Sequence, residues 1–568
     1  MIIEEKIRKL ILDFDGSGLK STASISVISS SKNNSGGIDV NSMSNPSQVF
    51  ASEFSLIWSQ IIESSPKKEK LKLKASEAYF YRNTIVPIMK WVYAVDEQIK
   101  RNNIEEIEFT QYYDSDFIFT YEAEGEVNKK RLYKSSYFIP YILRKYISVN
   151  YPKVKLNYNC KKGFMPKLSF YVRNVAYIST LFLLSFSHRF LAFFKSKARN
   201  KIDPLAKVLL VRSVVQAEFI RGMYNKNKKK YTVIAFPQIF KRDSFFGYLR
   251  SVDIDAIDSS SYVGLCYIIK EYFKALFTLF FVNDNRSLVI NDGRIIIPIS
   301  SILKDISCRQ LDYLLYAEGI ANLLRTYQVN SNIYSFDMFT PHSFYVVDKI
   351  KLPLYQVQTT LISPKVEVNF ISGEQFFFTN EYAYNNFLSK NPMLENKVGL
   401  KTNLKYVGVN KKFNLSSNLK CITYFSQPFE YAEERTLLKL LDVFCFKNDI
   451  LLNIKYHPRQ EHYKEQFTSL KVLNSYVTFE DVVASSDLII TRTSSIGLDC
   501  WLHNIPVVFF RGNATSKAIS AEYLPVDYVG DVSNFEELLF LINNFKLLLD
   551  DFEKISSQSC FSIEDVIL

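Results

Sequence analysis

A strand-like segment in the last quarter of the chain ends in a histidine and a proline that are flanked by cations. Residues 450–456 are mostly apolar, and Pro458 has no backbone N–H with which to continue the hydrogen-bond ladder of a strand. His457 is therefore predicted at the end of a strand, between Lys455 and Arg459. These three cationic or titratable groups together can bind a phosphate through charge and hydrogen bonds. A lone histidine often has no chemical role, but the chain contains only five, which favours the functional interpretation.

Hydroxyl side chains follow a second strand-like segment. Residues 487–491 are mostly apolar, and Thr493, Ser494 and Ser495 come before an apparent helix that runs through Leu502. A turn from strand to helix directs free backbone N–H groups and the positive end of the helix dipole toward the space ahead of it, which suits phosphate. Serine and threonine are also the usual N-cap residues, and capping is compatible with phosphate binding.

Two carboxylates are candidates for a general base. Glu318 precedes Gly319, and the missing side chain of glycine lets a substrate hydroxyl approach closely if the pair lies at a strand or helix junction. Asp292 follows residues 287–291, which are predicted to be a strand, and it is the alternative base. Either acid could instead be a turn residue without a chemical role.

The three groups of residues occur in a fixed order along the chain. They are Ala317-Glu318-Gly319, His457-Pro458 and Ser494-Ser495. This pattern resembles the bacterial sialyltransferases and polysialyltransferases of the GT-B architecture, whose motifs are an acidic pair before glycine, a His-Pro pair, and a Ser-Ser or Ser-Thr pair. The sequence departs from the family at Ala317, which replaces the first acid and leaves Glu318 as the base. Motifs of two or three residues are individually nonspecific, so their order and strand contexts carry the resemblance.

The resemblance implies an inverting transfer of a nonulosonic acid, of the sialic acid or Kdo type, from a CMP-activated donor. Glu318 would remove the proton of the acceptor hydroxyl as that hydroxyl attacks the anomeric carbon. His457 would protonate or hydrogen-bond the departing phosphate, while Ser494 and Ser495 stabilise its charge. The other residues predicted to bind the donor are Gly319, Lys455, Pro458, Arg459 and Thr493. This chemistry requires neither a metal ion nor another cofactor.

Three alternatives stay open at this point. Polymerases of the teichoic-acid type, which use CDP-glycerol or CDP-ribitol, also carry a histidine after a strand and a Ser-Ser element. A non-catalytic glycan-binding protein of the same fold would have no use for Glu318 opposite His457. The stretch Asp13-Phe14-Asp15-Gly16 resembles the first motif of haloacid-dehalogenase-type phosphatases, but no later aspartate pair follows in a suitable context. This favours a first strand or helix of a Rossmann-like domain that ends in a turn. Two DxD triplets, at 114–116 and 253–255, lack the strand-end context of a metal-binding motif.

The elements that must position these residues belong to an α/β protein. Short apolar runs alternate with helical stretches in two series, which is typical of strands buried on both faces of a parallel sheet. The first series is 207–212, 231–236, 287–291 and 352–357, and the second is 421–426, 450–456, 487–491 and 506–510. We therefore predict a GT-B-like fold of two doubly wound Rossmann-like domains that face a cleft. Ligands in such folds bind at the carboxyl ends of the strands.

The predicted N-terminal domain, residues 1–400, binds the acceptor, and the C-terminal domain, residues 401–568, binds the nucleotide sugar. Residues 17–50 are rich in Ser, Asn and Gly and are predicted to be a loop. Residues from about 170 to 201 contain the most apolar segment and are predicted to be an inserted helix. Polar residues at 185–189 interrupt this segment, so that it either lies in a membrane interface or is buried between domains.

Composition limits the classes of protein and of partner. The chain of 568 residues suits two or three domains, and its 47% hydrophobic content excludes a disordered or fibrous protein. A net charge of +12 favours an anionic partner or membrane surface. We expect a CMP-sugar donor and a glycan or glycolipid acceptor, and no nucleic acid. Seven scattered cysteines and a charged start without a signal sequence predict a cytoplasmic protein, peripheral on the inner membrane.

Overall fold

The structure is a computed structural model in which the chain forms three parallel β-sheets and one antiparallel hairpin, with helices between the strands. It describes residues 9–14, 25–29, 38–40, 46–113, 138–161, 164–194, 202–237, 241–337, 340–359, 370–378, 381–400, 418–426, 431–456, 467–473, 477, 479–492, 496–497, 500, 505–512 and 528–558. The predicted α/β fold class with doubly wound Rossmann-like sheets is confirmed.

The first sheet is not one of the two predicted sheets, although two of its strands coincide with predictions. The segment before Asp15 is predicted as a first strand or helix and forms the strand Lys9–Asp13, and residues 104–109, predicted as a strand, form part of Glu106–Tyr113. The elements of this sheet are β1 (Lys9–Asp13), β2 (Ile25–Ser29), β3 (Ile38–Asp39), α1 (Gln48–Ser64), α2 (Lys67–Phe80), α3 (Val86–Asn102), β4 (Glu106–Tyr113), α4 (Phe138–Asn150) and β5 (Lys155–Lys161). All five strands are parallel, in the order β3-β2-β1-β4-β5. The loop predicted over residues 17–50 is wrong in part, because β2, β3 and the start of α1 lie inside it. Three of the five residues of β2 are apolar, and Ile28 among them is fully buried.

Helix α5 (Phe164–Phe194) is the predicted inserted apolar helix, and residues 195–201 of that prediction lie outside the described residues. One face of α5 is buried through Phe170, Ile178 and Leu181, while Leu183 is 61% exposed. The helix is therefore buried along one face and exposed along the other, rather than enclosed between domains as one alternative predicted. Within the described ranges, no helix has the length and apolar character needed to cross a bilayer.

The second sheet has seven parallel strands in the order β14-β13-β12-β11-β6-β7-β8. The elements of this part of the chain are β6 (Lys207–Val211), α6 (Val214–Lys226), β7 (Tyr231–Ala235), α7 (Arg242–Ser251), β8 (Ala256–Asp258), α8 (Leu265–Phe281), β9 (Ser287–Ile290), β10 (Ile295–Pro298), α9 (Ile299–Thr326), β11 (Ile333–Ser335), α10 (His342–Lys349), β12 (Leu354–Val357), β13 (Gln375–Phe378), α11 (Glu381–Lys390) and β14 (Val398–Leu400).

Three of the four runs predicted in the first series are strands of this second sheet, whose strands β8, β11, β13 and β14 are not among the predicted runs. The runs at 207–212, 231–236 and 352–357 are β6, β7 and β12, and four of the five residues of β6 are buried. The run at 287–291 forms β9, but β9 pairs with β10 in an antiparallel hairpin. The prediction that this run joins the parallel sheet is therefore wrong.

The third sheet has six parallel strands in the order β17-β16-β15-β18-β19-β20. Its elements are β15 (Cys421–Phe425), α12 (Tyr431–Lys447), β16 (Leu451–Lys455), β17 (Leu470–Val472), α13 (Phe479–Ala484), β18 (Leu488–Thr491), β19 (Val507–Phe510), β20 (Asp531–Val532), α14 (Phe535–Asn543) and α15 (Phe545–Gln558). All four predicted runs of the second series are strands of this sheet. The predicted domain boundary near residue 401 falls outside the described residues and stays a prediction.

Candidate functional site

Both large sheets reverse their strand order beside their first strand. In the second sheet β6 has β7 on one side and β11 on the other, and in the third sheet β15 has β16 on one side and β18 on the other. When the order of parallel strands reverses, the two crossover connections leave the sheet in opposite directions and open a crevice at its carboxyl edge. Such a crevice is the usual place for a ligand, so the candidate site comprises the residues at these two edges.

At the edge of the second sheet, one glutamine joins the ends of β6 and β11. Arg212 directly follows β6, and Asp337 lies two residues after β11. The backbone N–H of Arg212 donates to Gln216 Oε1 over 2.6 Å, and Gln216 Nε2 donates to Asp337 Oδ1 over 2.9 Å. Gln216 occupies the first turn of α6, where the N-cap Ser213 fixes the start of the helix. These two hydrogen bonds fix the distance between the ends of β6 and β11.

Helices α9 and α10 complete this group. His342 is the first residue of α10, and Asp312 lies on α9. Arg212 Nη1 lies 2.9 Å from His342 Nδ1, and His342 Nε2 lies 3.0 Å from Asp312 Oδ2. A guanidinium group can only donate hydrogen bonds, so Nδ1 accepts and the imidazole proton is on Nε2, which donates to Asp312. We call Arg212, Asp312, Asp337 and His342 the switch-point cluster.

Burial and charge shift the pKa values of the switch-point cluster. Burial opposes the charge of Arg212, but Asp337 and Asp312 outweigh it and raise the pKa of the guanidinium. Burial, and then the charge of Arg212, lower the pKa of His342 although Asp312 acts the other way. Burial alone would raise the pKa of Asp312, but the hydrogen bond from His342 and the charge of Arg212 lower it. With a neutral imidazole, two carboxylates face one guanidinium, and the cluster carries one excess negative charge.

Asp312 keeps one carboxylate oxygen available. Every hydrogen bond that Asp312 accepts from the described residues ends on Oδ2, and its side chain is 18% exposed. Tyr316, one turn along α9, stacks near the guanidinium of Arg212, with 5.0 Å between Arg212 Cζ and the ring centroid. Its buried hydroxyl and Arg212 Nε have no hydrogen-bond partner in the part of the chain that the structure describes. A partly exposed carboxylate oxygen that accepts no hydrogen bond from the described residues suits a ligand with hydroxyl groups.

Glu318, the base predicted from sequence, lies in the interior of α9 and not at a junction, so the predicted context is wrong. Its Oε2 accepts from Lys349 Nζ over 2.9 Å and its Oε1 accepts from Asn322 Nδ2 over 3.1 Å. It follows Asp312 by six residues, which places it about 9 Å further along the helix axis and on another face. The structure therefore does not bring Glu318 into the switch-point cluster.

Gly319 has a packing role that differs from the predicted one. A Cβ atom on this residue would lie 2.6 Å from the backbone oxygen of Ser259, in the 3-10 turn Ser259–Tyr262 that follows β8. Glycine therefore lets α9 contact the backbone of that turn directly. The close approach predicted for a substrate hydroxyl is made by the protein itself.

Asp292, the alternative base, lies in the turn of the β9–β10 hairpin. Asn291 and Asp292 have φ values of 56° and 53°, and Gly293 has a φ value of 81°. The side chain of Asp292 is exposed. The interpretation of this acid as a turn residue is confirmed, and the predicted end of a parallel strand is wrong at this position.

At the edge of the third sheet, the predicted donor-binding segments leave the two strands that flank β15. Lys455 at the end of β16 and Thr491 at the end of β18 both lie opposite Phe425 in the register. The chain therefore leaves the sheet at two points that are two strand spacings apart, about 10 Å. The residues predicted to act there lie outside the described residues: His457, Pro458, Arg459, Thr493, Ser494 and Ser495.

The described neighbours of these segments are held by the third sheet. Lys455 Nζ donates to the backbone oxygen of Val477 over 2.9 Å, and burial lowers the pKa of this ammonium group. Residues 496, 497 and 500 are helical, which confirms a helix after the hydroxyl segment for those residues. A Cβ on Gly497 would collide with the ring of Phe509, so glycine allows this helix to contact β19 closely.

Comparisons with known proteins give likenesses of structure alone. No model of a protein family matches the sequence, and no curated protein matches it. A glycosyltransferase from Rickettsia africae superposes with a TM-score of 0.36 at 13% identity, over 63% of this chain and 92% of that one. The S. aureus protein MnaA, in a co-structure with UDP, has a TM-score of 0.39 at 13% identity, over 61% and 91%. The calicheamicin glycosyltransferase CalG4 has a TM-score of 0.37 at 8% identity, over 62% and 94%.

The DxD triplets give no metal site within the described residues. Asp253 has a positive φ of 60° in the connection between α7 and β8, and its carboxylate pairs with Lys228. The triplet at 114–116 lies outside the described residues. Among the residues that the structure describes, no three His, Cys, Asp or Glu side chains are grouped as they would be to hold a metal ion.

The switch-point cluster escaped the sequence prediction. Arg212 follows an apolar strand as Lys455 does, and the same strand-end rule identifies it. Asp312 and His342 come from helices without a spacing pattern, because tertiary packing alone places them beside Arg212.

Proposed function

We propose that this protein is a glycosyltransferase that moves a nonulosonic acid, of the sialic acid or Kdo type, from a CMP-activated donor to a surface-polysaccharide acceptor. The third sheet binds the nucleotide and the second sheet binds the acceptor. The motif resemblance supports the choice of donor, and the two switch points support the division of labour between the sheets. No metal ion takes part in the proposed reaction.

The observation that carries this proposal is the position of the two donor-binding segments around β15. His457 follows the strand on one side of β15, and Thr493 follows the strand on the other side. We propose that a phosphate bound at this edge of the sheet interacts with the imidazole of His457 and with the hydroxyls of Ser494 and Ser495. In the proposed reaction these groups stabilise the negative charge that develops on the leaving CMP.

On the acceptor side, we assign the general base to Asp312. Its available Oδ1 takes the proton of the acceptor hydroxyl while the hydroxyl oxygen forms a bond to the anomeric carbon. The bond from that carbon to the phosphate oxygen breaks, and the electron pair leaves with CMP, whose phosphate is bound or protonated by His457. Oδ1 can receive this proton because it accepts no hydrogen bond from the described residues. Glu318, the base predicted from sequence, forms an ion pair with Lys349, and Asp312 replaces it as the base in this proposal.

The acceptor is a glycan or glycolipid, and we propose that the protein works at the cytoplasmic side of the inner membrane, in contact with it through the region 170–201. Helix α5 within this region is apolar along most of its length. Its flanking cations suit anionic headgroups.

Nucleotide selectivity tests the proposal. CMP should raise the thermal midpoint of the protein by several degrees, because a ligand that binds only the folded state stabilises it by mass action. UMP should raise it much less. His457→Ala and the double variant Ser494→Ala/Ser495→Ala should lose most of the CMP effect, while Asp292→Asn, in an exposed hairpin turn, should keep it. An equal effect of UMP, or a full CMP effect in both variants, would contradict the proposed donor site.

A further inference from the structure

Helices α5 and α8 together expose an apolar surface that we call the α5–α8 face. The two helices adjoin through aromatic pairs, with ring centroids 5.2 Å apart between Tyr171 and Phe280 and 4.3 Å apart between Phe182 and Tyr272. The exposed large apolar residues of the face are Leu168, Val172, Leu183, Leu184 and Phe190 of α5, and Ile269, Phe273, Phe277, Phe280 and Phe281 of α8. Exposed patches of this kind mark interaction surfaces in proteins of known function.

The spacing of the exposed residues makes the face continuous. On α8, residues 269, 273, 277 and 281 recur every four positions, so that they form one stripe along the helix. Phe273, Phe277 and Phe281 are 62%, 64% and 68% exposed. Large aromatic rings at such exposure are costly in water unless another apolar phase covers them.

The polar residues that interrupt α5 in the sequence point into the protein. His188 Nδ1 lies 3.2 Å from the hydroxyl of Ser260, and Arg189 Nε donates to the backbone oxygen of Val263 over 2.8 Å. They therefore do not break the outward stripe of the helix. These polar residues argue against a helix that spans the membrane, but they are compatible with a helix that lies flat on the membrane surface.

Charge on the α5–α8 face has one sign. Helix α5 contains no Asp or Glu, and the single acid of α8, Glu271, is only 5% exposed. Lys270 and Lys274 are exposed beside the aromatic stripe. A surface of aromatic and aliphatic groups with cations at its margin and without exposed carboxylates is complementary to an anionic bilayer interface.

We propose that the α5–α8 face is the surface through which this protein binds an anionic membrane, with α8 supplying the aromatic groups that enter the interface. This inference rests on the membrane contact stated in the proposed function, and it adds the residues of α5 and α8 that make that contact. The helices lie along the membrane plane with Phe273, Phe277 and Phe281 among the acyl chains. Because α8 packs on α9, the helix that carries Asp312, the face sets the acceptor side of the molecule near the membrane.

Vesicle flotation of the full-length protein tests this inference. Wild type should float with vesicles that contain phosphatidylglycerol and much less with phosphatidylcholine alone, and high salt should weaken the binding. Phe273→Glu/Phe277→Glu should lower the partition coefficient at least about a hundredfold, since two buried rings are lost. Lys270→Glu/Lys274→Glu should lower it only with the anionic vesicles.

A matched control is the pair Val443→Glu/Phe446→Glu on α12, whose side chains are 51% and 63% exposed, and which should float as wild type does. Undiminished flotation of Phe273→Glu/Phe277→Glu, or no flotation of wild type, would overturn the inference. So would a dimer of wild type in solution that the phenylalanine variant alone abolishes, because the face would then join two copies. Release of CMP from a soluble donor should be unchanged in the variant, so that a failure of catalysis and a failure of membrane binding are told apart.

Discussion

His342 is buried in its neutral form because its two nitrogens already have different partners. Nδ1 accepts from Arg212 and Nε2 donates to Asp312, so that a second proton would face the guanidinium directly. Asp337 lies on the other side of Arg212, with 3.9 Å between Nη1 and Oδ1. The imidazole therefore orients Asp312 and leaves its outer oxygen available for a substrate.

This tautomer predicts a pH dependence of stability. The pKa of His342 is lowered in the folded state, so the unfolded chain binds the proton first as the pH falls below about 6.5. The stability contributed by the neutral imidazole is complete above that pH and is lost as the pH falls through the folded pKa. His342→Gln, which can accept from Arg212 and donate to Asp312 without titrating, should flatten the fall of the thermal midpoint between pH 7 and pH 5.

The lowered pKa of Asp312 acts in a separate window, below about pH 3.9, and does not disturb this comparison. Parallel curves for wild type and His342→Gln over the whole range would show that His342 is not held neutral.

For individual residues, the sequence predicted their position relative to the strands better than it predicted their chemical roles. The apolar run that ends at Lys455 and the run that ends at Thr491 are strands, so the residues after them start at a sheet edge as expected. The environment of Glu318 could not be predicted in this way, because a Glu-Gly pair has the same sequence inside a long helix as at a junction between elements. Its partner Lys349 comes from another helix, and only tertiary packing shows that the pair is neutralised.

Among the elements, α9 depends on a contact that only glycine permits. The helix meets the backbone of the 3-10 turn after β8 at Gly319, where a methyl group would lie 2.6 Å from a carbonyl oxygen. Backbone atoms cannot rotate away as a side chain can, so the helix or the turn must move.

Gly319→Ala should therefore lower the thermal midpoint, at a cost of about 1–3 kcal/mol. Gly247→Ala is the control, because Gly247 lies inside α7 and nothing is within 4 Å of an added Cβ. Alanine there should be neutral or stabilising by about 0.5–1 kcal/mol. Differential scanning fluorimetry of both variants measures the effect, and an unchanged midpoint in Gly319→Ala would show that α9 does not depend on this contact.

Element prediction succeeded where burial acts on both faces of a strand. Continuous apolar runs found β6, β7, β12, β15, β16, β18 and β19, since a parallel strand covered on two sides has no polar face. The run at β9 is equally apolar but pairs in a hairpin, and composition does not distinguish the two environments. In the first sheet β2 and β3 are short and surrounded by serine and asparagine. Because these residues are typical of turns, the sequence predicted a loop there instead of strands.

Over the whole molecule, the same topology occurs in both large sheets and places two crevices at carboxyl edges. The apolar runs predict where the strands lie in the sequence, but they do not show which strands are adjacent in a sheet, so strand order cannot be predicted from them. One crevice lies between the segments predicted to hold a phosphate, and the other contains the switch-point cluster. The proposed transfer reaction between two substrates uses both edges, one for the leaving group and one for the acceptor hydroxyl.

The central claim is tested most directly by measuring CMP release from CMP-sialic acid, CMP-Kdo and CDP-glycerol in separate reactions. Wild type should release CMP from a CMP-activated nonulosonic acid. His457→Ala and Asp312→Asn should be slower by at least about a hundredfold with folding retained, since each removes a group that transfers or binds a proton in the transition state. Glu318→Gln should keep most of the rate. Release from CDP-glycerol alone, or full activity of His457→Ala, would contradict the account.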